Sequence, residues 1–260
     1  MISILGKSNI AQRATNEDRF VADSNWGIAL VADGMGGPAA GEIAASIVAY
    51  QVTDLLDQRT PLAVAVYSAH QEVLRAVEDG RGKPGMGSTV VVAHFSGHHF
   101  ELAWIGDSRA YLWNGELRQI SRDHSQVEAL MGRGEISYSE AISHPNKNII
   151  TRAIGHGKFN EHDIPLIKGA LFRGEKLLLC SDGLYDAMSA CDIARVMNTP
   201  ISSEQQLEQL LAIALANNGA DNITAVLVDS DVIPQENEII PTLPAVVIAR
   251  IDGFTEHFTS

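Results

Sequence analysis

Apolar residues recur at helical spacing over residues 38–58, where Ile43, Ala44, Ile47, Val48, Val52 and Leu56 follow a proline placed for the first turn. A second stripe, Leu62, Val66, Ala69, Val73 and Val77, predicts a helix over 62–79 that Gly80 stops. The short link between them makes an antiparallel pair. After the glycine-rich stretch GRGKPGMG the period changes, and STVVVAHF, HFELAWIG, RAYLW and ELRQIS read as strands of an antiparallel meander. Asn114-Gly115 predicts a tight two-residue hairpin turn between the last two, because that dipeptide tolerates positive φ.

Residues 125–147 turn polar, with glycines at 132 and 134 and a His144-Pro145 pair. They predict a partly helical excursion of the kind that carries specificity or gates access. KLLLCSD resumes the core, helices over 189–198 and 204–217 form a second pair, and DNITAVLVD is the last core strand. Past residue 230 three prolines punctuate the tail, in which AVVIARI has the composition of an added strand with no assigned place. Strands and helix pairs in separate blocks predict an α+β layered domain. Residues 1–230 are expected to form one unit, with 231–260 a C-terminal extension of unassigned role.

At 260 residues and 45% hydrophobic content, the chain can bury one large core or two small ones. Its 19 basic against 32 acidic residues leave a net charge of −13, with no basic block. Nucleic acid and anionic membrane are therefore not expected partners. A phosphorylated ligand would have to be bound locally. No signal-peptide core and no run of membrane-spanning length stands out, so a cytoplasmic location is expected. Cys180 and Cys191 are too few and too far apart for a disulfide framework and read as reduced thiols.

Four aspartates sit where apolar strands meet turns: Asp33 ends GIALVAD, Asp107 ends ELAWIGD, Asp182 ends KLLLCSD, and Asp221 opens DNITAVLV. Carboxylates gathered at buried strand ends repel one another and lose hydration unless a cation neutralises them. Oxygen-only donors suit Mg²⁺ or Mn²⁺, which points to metal-assisted phosphoryl chemistry. Other motifs are weaker. Gly34, Gly36 and Ala39 fit the dinucleotide pattern G-x-G-x-x-A, but Asp33 before it would repel a pyrophosphate and no second strand follows the helix. Cys180 lacks the arginine that follows a phosphatase nucleophile, GMGST lacks a P-loop lysine, and no histidine pair has zinc-hydrolase spacing.

The runs RATNEDRF (13–20), VADGMGGPAAGE (31–42), MGSTVVVA (86–93), WIGDSRAYLW (104–113), SRDHS (121–125), TRAIG (151–155), LLLCSDGLYD (177–186) and DNITAVLV (221–228) occur in this order. Together they resemble the metal-dependent serine/threonine protein phosphatases, the PPM or type 2C family, in their short bacterial form. The resemblance spans roughly residues 10–229 and implies a four-layer αββα sandwich, two antiparallel sheets flanked by helix pairs, with metals at one end. It implies two to three Mn²⁺ or Mg²⁺ ions per chain. Asp33 would bridge two of them, with the Gly34 carbonyl on one and Asp182 and Asp221 on the other. Asp18 would act through metal-bound water, with Glu17 beside it, and Asp107 with Asp182 would hold a third ion. Arg13 would clamp the substrate phosphate through bidentate donors.

The implied reaction is direct attack of a metal-activated water on phosphoserine or phosphothreonine, with no phosphoenzyme. Its substrates would be phosphorylated proteins, its counterpart a bacterial Ser/Thr kinase in signal transduction, and the chain a monomer. One departure stands out. Met35 occupies the position where some members carry a histidine thought to protonate the leaving alkoxide, so another group must supply that proton. A catalytically silent relative would be expected to have lost metal carboxylates, and this chain keeps them. A two-metal nuclease conflicts with the acidic charge balance.

Overall fold

The computed structural model of the chain describes residues 1–37, 39–235, 243 and 246–250, the last five through their backbone. Pro38, expected in the first turn of the first helix, lies outside the described residues. Strands β1 (Ile2–Asn9), β2 (Asp18–Asp23) and β3 (Ile28–Met35) lead into helices α1 (Ala40–Asp57) and α2 (Leu62–Glu78). Next come β4 (Gly87–Ser88), β5 (Val90–Ser96), β6 (His99–Ile105), β7 (Arg109–Trp113) and β8 (Glu116–Gln119). The polar excursion holds α3 (Gln126–Gly132) and α4 (Tyr138–Ile142), and β9 (Leu166–Ala170) and β10 (Lys176–Cys180) return to the core. One-turn α5 (Asp182–Tyr185), α6 (Ala190–Asn198), α7 (Ser203–Ala216), β11 (Ile223–Ser230) and β12 (Val246–Arg250) complete the order.

All pairings are antiparallel. One sheet runs β1-β11-β10-β7-β8-β12 and the other β2-β3-β5-β6-β9, with β4 also on β3. Each strand's alternate side chains enter different cores, because successive residues point to opposite faces. Leu30, Val90 and Val92 pack with Val48, Val66 and Val73 of α1 and α2, whereas Val31 and Val91 face Leu177, Leu179 and Val226 of the other sheet. Beyond that sheet, Leu178, Cys180 and Leu227 pack with Ile193, Leu207 and Leu210 of α6 and α7. With both faces covered, the central strands are apolar runs without alternation. The four-layer sandwich is the one the resemblance implies.

Three strands were not expected from the pattern. β1, β2 and β9 are edge strands with one flank unpaired, and their mixed composition hides their period. The added strand takes a definite place as β12, paired with β8. The β7–β8 turn also departs from expectation: Trp113 faces Leu117, so Asn114, Gly115 and Glu116 lie between them, one residue more than a tight turn. Gly115 accommodates this at φ 97°.

Candidate metal centre

Strand register sets the carboxylates side by side. Asp18 at the start of β2 is the partner of Asp33 near the end of β3. Thr89 fixes Asp33 from the neighbouring strand: its hydroxyl accepts from the Asp33 N–H at 3.1 Å, and its own N–H donates to the Asp33 carbonyl at 2.8 Å. The same hydroxyl lies 2.6 Å from that of Ser108, tying in the turn that carries Asp107. In the second sheet Cys180 pairs with Ala225, which brings Asp182 and Asp221 to the same end. Ser181 joins the sheets, donating to Asp18 Oδ2 at 2.8 Å and accepting from Thr224 N–H at 3.1 Å.

Two glycines allow this convergence. A Cβ on Gly34 would stand 2.1 Å from the Gly41 carbonyl oxygen, and one on Gly183 would stand 2.1 Å from the Asn222 carbonyl oxygen. Any side chain at either place would push a metal-facing segment away from its support. Gly34 therefore packs strand against helix, which accounts for the glycine pattern without a nucleotide.

The electrostatics show what the site lacks as bare protein. Burial, then Asp18, Asp182, Asp107 and Asp221, hold the Asp33 carboxyl well above the usual range. Asp18 is pushed up to about 7 by burial, with hydrogen bonds from Thr224 and Ser181 opposing and Asp182 and Asp221 adding to the rise. Burial and Asp182 raise Asp107 to about 7, against the pull of Arg109. Asp182 rises to about 6 through burial, Asp221 and Asp186, with a hydrogen bond to Asp33 opposing. Its Oδ1 is buried without a hydrogen-bond partner among the described residues. Burial and mutual repulsion thus oppose full ionisation of this set without a counter-charge.

Mn²⁺ or Mg²⁺ fits these donors: all are oxygens, most are poorly neutralised, and one is orphaned. Among the described residues no three acidic, imidazole or thiol side chains close around a single point as a self-sufficient cage. Such ions typically keep several waters and take few carboxylates each, so an open arrangement is what they need.

Arg13 lies at the rim, its Nη2 2.7 Å from Asp221 Oδ2. That bond raises the guanidinium pKa further. Asn222 shapes the loop carrying it, accepting from Glu17 N–H at 2.7 Å and donating to the Ile10 and Thr15 carbonyls at 3.0 and 3.1 Å. Burial raises the Glu17 carboxyl, with Arg13 opposing. Behind Asp107, Tyr185 donates to its carbonyl at 3.1 Å, and Arg109 lies 3.6 Å above the Tyr185 ring. Cys180 is buried and its thiol is pushed far up, so it is no nucleophile.

The structure thus brings Asp18, Asp33, Gly34, Asp107, Asp182, Asp221 and Arg13 to one end of the sandwich. Ser181, Thr89, Asn222 and the Arg109–Tyr185 pair support them and were not singled out as site residues. Their signal in the sequence is a polar residue lodged directly against an apolar strand, as in LLLCS and DNITAV. The excursion expected over 125–147 begins at Ser125, which bridges to Ile150, and near its end Lys147 reaches Asp186 at 2.9 Å.

Comparison with known proteins agrees with this geometry. The family model described as protein phosphatase 2C matches residues 5–228. The serine/threonine protein phosphatase PstP of Mycobacterium tuberculosis is 37% identical over 225 residues, which cover 84% of this chain and 42% of that protein. The chain thus spans less than half the length of this curated relative. The serine/threonine phosphatase stp of Listeria monocytogenes is 33% identical over 84% of this chain and 92% of its own. A solved structure, the PstP catalytic domain in complex with two manganese ions, superposes with a TM-score of 0.77 at 33% identity, covering 88% of this chain and 97% of that one. Converging carboxylates, sandwich and sequence lead to one conclusion: the chain belongs to the protein phosphatase 2C family.

Proposed function

We propose that residues 1–230 form a metal-dependent serine/threonine protein phosphatase that hydrolyses phosphoserine and phosphothreonine in proteins, opposing a Ser/Thr kinase. The observation that carries this reading is the convergence of five aspartates, one with an orphaned buried oxygen, at a solvent-facing end of the sandwich beside an exposed arginine. Asp33 lies among Asp18, Asp107, Asp182 and Asp221 and would be shared between two ions, with the Gly34 carbonyl beside it. Asp182 and Asp221 would hold one ion, Asp107 and Asp182 a third, and Asp18 would act through water. Ions in this setting lower the pKa of water and neutralise phosphoryl charge.

The chain's own groups do the rest. Arg13 leaves Asp221 to take two phosphoryl oxygens, orienting the phosphorus for in-line attack. Cys180 is sealed in the core and is not positioned as a nucleophile. Met35 cannot donate a proton, so the leaving alkoxide must take its proton from another group, for which water held near Asp107 is the candidate. Among the described residues no helix is long and apolar enough to cross a membrane, and we read the phosphatase as acting on proteins in the cytoplasm, as a monomer. Within the C-terminal extension, Val246–Arg250 add β12 to the β8 edge.

The test is direct. Purified protein should release phosphate from phosphoserine and phosphothreonine peptides with Mn²⁺ or Mg²⁺, lose that activity to a chelator, and regain it on metal addition. Full activity in excess chelator would remove the metal assignment.

A further inference from the structure

A cavity of about 440 Å³ opens beside Met35, two residues past Asp33, and is lined by Thr151, Arg152, His156, Lys158 and Phe159 among others, none of them acidic. The loop that forms it is firmly held. Ile154 exchanges backbone hydrogen bonds with Ser88, and the Gly155 N–H donates to His70 Nδ1 at 3.1 Å. Phe159 packs on the His70 ring with centroids 4.1 Å apart, and Arg152 Nη1 donates to the Asp163 carbonyl at 2.8 Å. The His156 ring lies over Gly87, where a Cβ would come within 2.4 Å of it, and Gly87 is the register partner of Met35. The cavity is therefore built onto the strand that carries Asp33.

Its charge runs against the rest of the chain. Acidic residues exceed basic ones by 13, and at least twelve of the 19 lysines and arginines lie within ion-pair distance of a carboxylate. Arg152 and Lys158 do not: among the described residues neither has a carboxylate partner, and both line this cavity. A guanidinium fixed by a carbonyl and an unpaired ammonium on the same wall leave a local positive potential. Both present donors matched to phosphate or carboxylate oxygens.

We propose that this cavity is a second anion-binding subsite, which takes a phosphorylated or acidic residue of the substrate near the scissile phosphoserine or phosphothreonine. The proposal rests on the phosphatase reading above and gives it a substrate class. Met35 stands two residue steps beyond Asp33, about 7 Å of chain, and an extended peptide advances about 3.3 Å per residue. A side chain two or three positions from the scissile one therefore reaches the cavity. Met35 and Phe159 supply apolar walls for the stem of that side chain.

Three peptides with one phosphoserine test it, carrying at the second or third position on either side alanine, glutamate, or a phosphonate analogue of phosphoserine that cannot be hydrolysed. With Mn²⁺ present, the anionic peptides should show kcat/KM about tenfold above the alanine peptide through a lower KM. Lys158→Met, at an exposed site without an ion pair, should cut that preference severalfold, and Lys158→Met with Arg152→Gln should bring it close to one. Preference for both anions identifies a general acidic-residue subsite; preference for the phosphonate alone identifies a phosphate subsite. Equal kcat/KM on all three peptides, or a preference that survives both substitutions, overturns the proposal while leaving the phosphatase reading intact. No metal-dependent hydrolysis of any peptide overturns both.

Discussion

Two arginine–carboxylate pairs lie beside the aspartate cluster, Arg13–Asp221 near Asp182 and Arg109–Asp123 near Asp107, and burial separates their roles. Arg109 and Asp123 have side chains only 22% and 8% exposed, whereas Arg13 and Asp221 are 56% and 39% exposed. The buried guanidinium makes three contacts of 2.7 to 3.2 Å to Asp123, reaches Tyr111 Oη at 3.2 Å, and stacks over Tyr185. Gln119 Nε2 donates to Asp123 Oδ1 at 2.9 Å and satisfies the carboxylate further. The outer pair is a single 2.7 Å contact. Halving a buried pair typically costs about 3–5 kcal/mol, while an exposed pair is worth roughly 0–1 kcal/mol. The inner arginine is a fixture; the outer one can exchange its carboxylate for a phosphate at little cost.

Arg109→Ala is the largest expected break in that comparison. It should destabilise the fold by about 3–5 kcal/mol, a fall in Tm on the order of 10 °C, measured by calorimetry. A Tm within a degree or two of the parent would show that the inner pair is no fixture.

The next effect is a pH dependence of the metal-free protein. Asp18 and Asp107, raised to about 7, bind protons in the folded state at pH values where the unfolded chain has released them. Their contribution to stability is fully present below the unfolded carboxylate value near 4 and is lost as pH rises through about 7. Tm measured in chelator should carry this fall of a few kcal/mol, and excess Mn²⁺ should reverse the trend because it binds the ionised form. Parallel pH profiles with and without Mn²⁺ would contradict the site.

Arg13→Ala should leave Tm almost unchanged and raise KM for phosphopeptides about tenfold, the mark of lost substrate binding. An unaltered KM would return Arg13 to the solvated surface. Smallest and most selective is Asp107→Ala. It should lower phosphoserine turnover severalfold more than aryl phosphate turnover, because a good leaving group needs little protonation. Equal losses on both substrates with a lowered Tm would make Asp107 a structural residue.

Legibility in the sequence follows burial. The central strands β3, β5, β6, β7, β10 and β11 announce themselves because both faces are covered and most of their residues are apolar. The edges β1, β2 and β9 do not, since a half-solvated strand such as ISILGKSN mixes polar and apolar residues without a clean period. The same contrast governs the site. Asp33, Asp107, Asp182 and Asp221 stand out because each interrupts an apolar run, whereas Asp18, opening an edge strand, emerges only through family resemblance. Ser181, Asn222 and the Arg109–Asp123 pair act across 41 to 212 residues or through a buried stack, and no local pattern encodes such partners.

The pairing of β1 with β11 has a consequence for the protein's manufacture. Residues 2–9 meet 223–230, so β1 has to wait for a strand synthesised long after it before its backbone is satisfied. Most of the other sheet, with α1 and α2, lies within the first 105 residues and can assemble early. Asp221 arrives with the final core strand. A nascent chain therefore holds an incomplete set of carboxylates until β11 has been made, and termination anywhere before that strand removes Asp221 from the set.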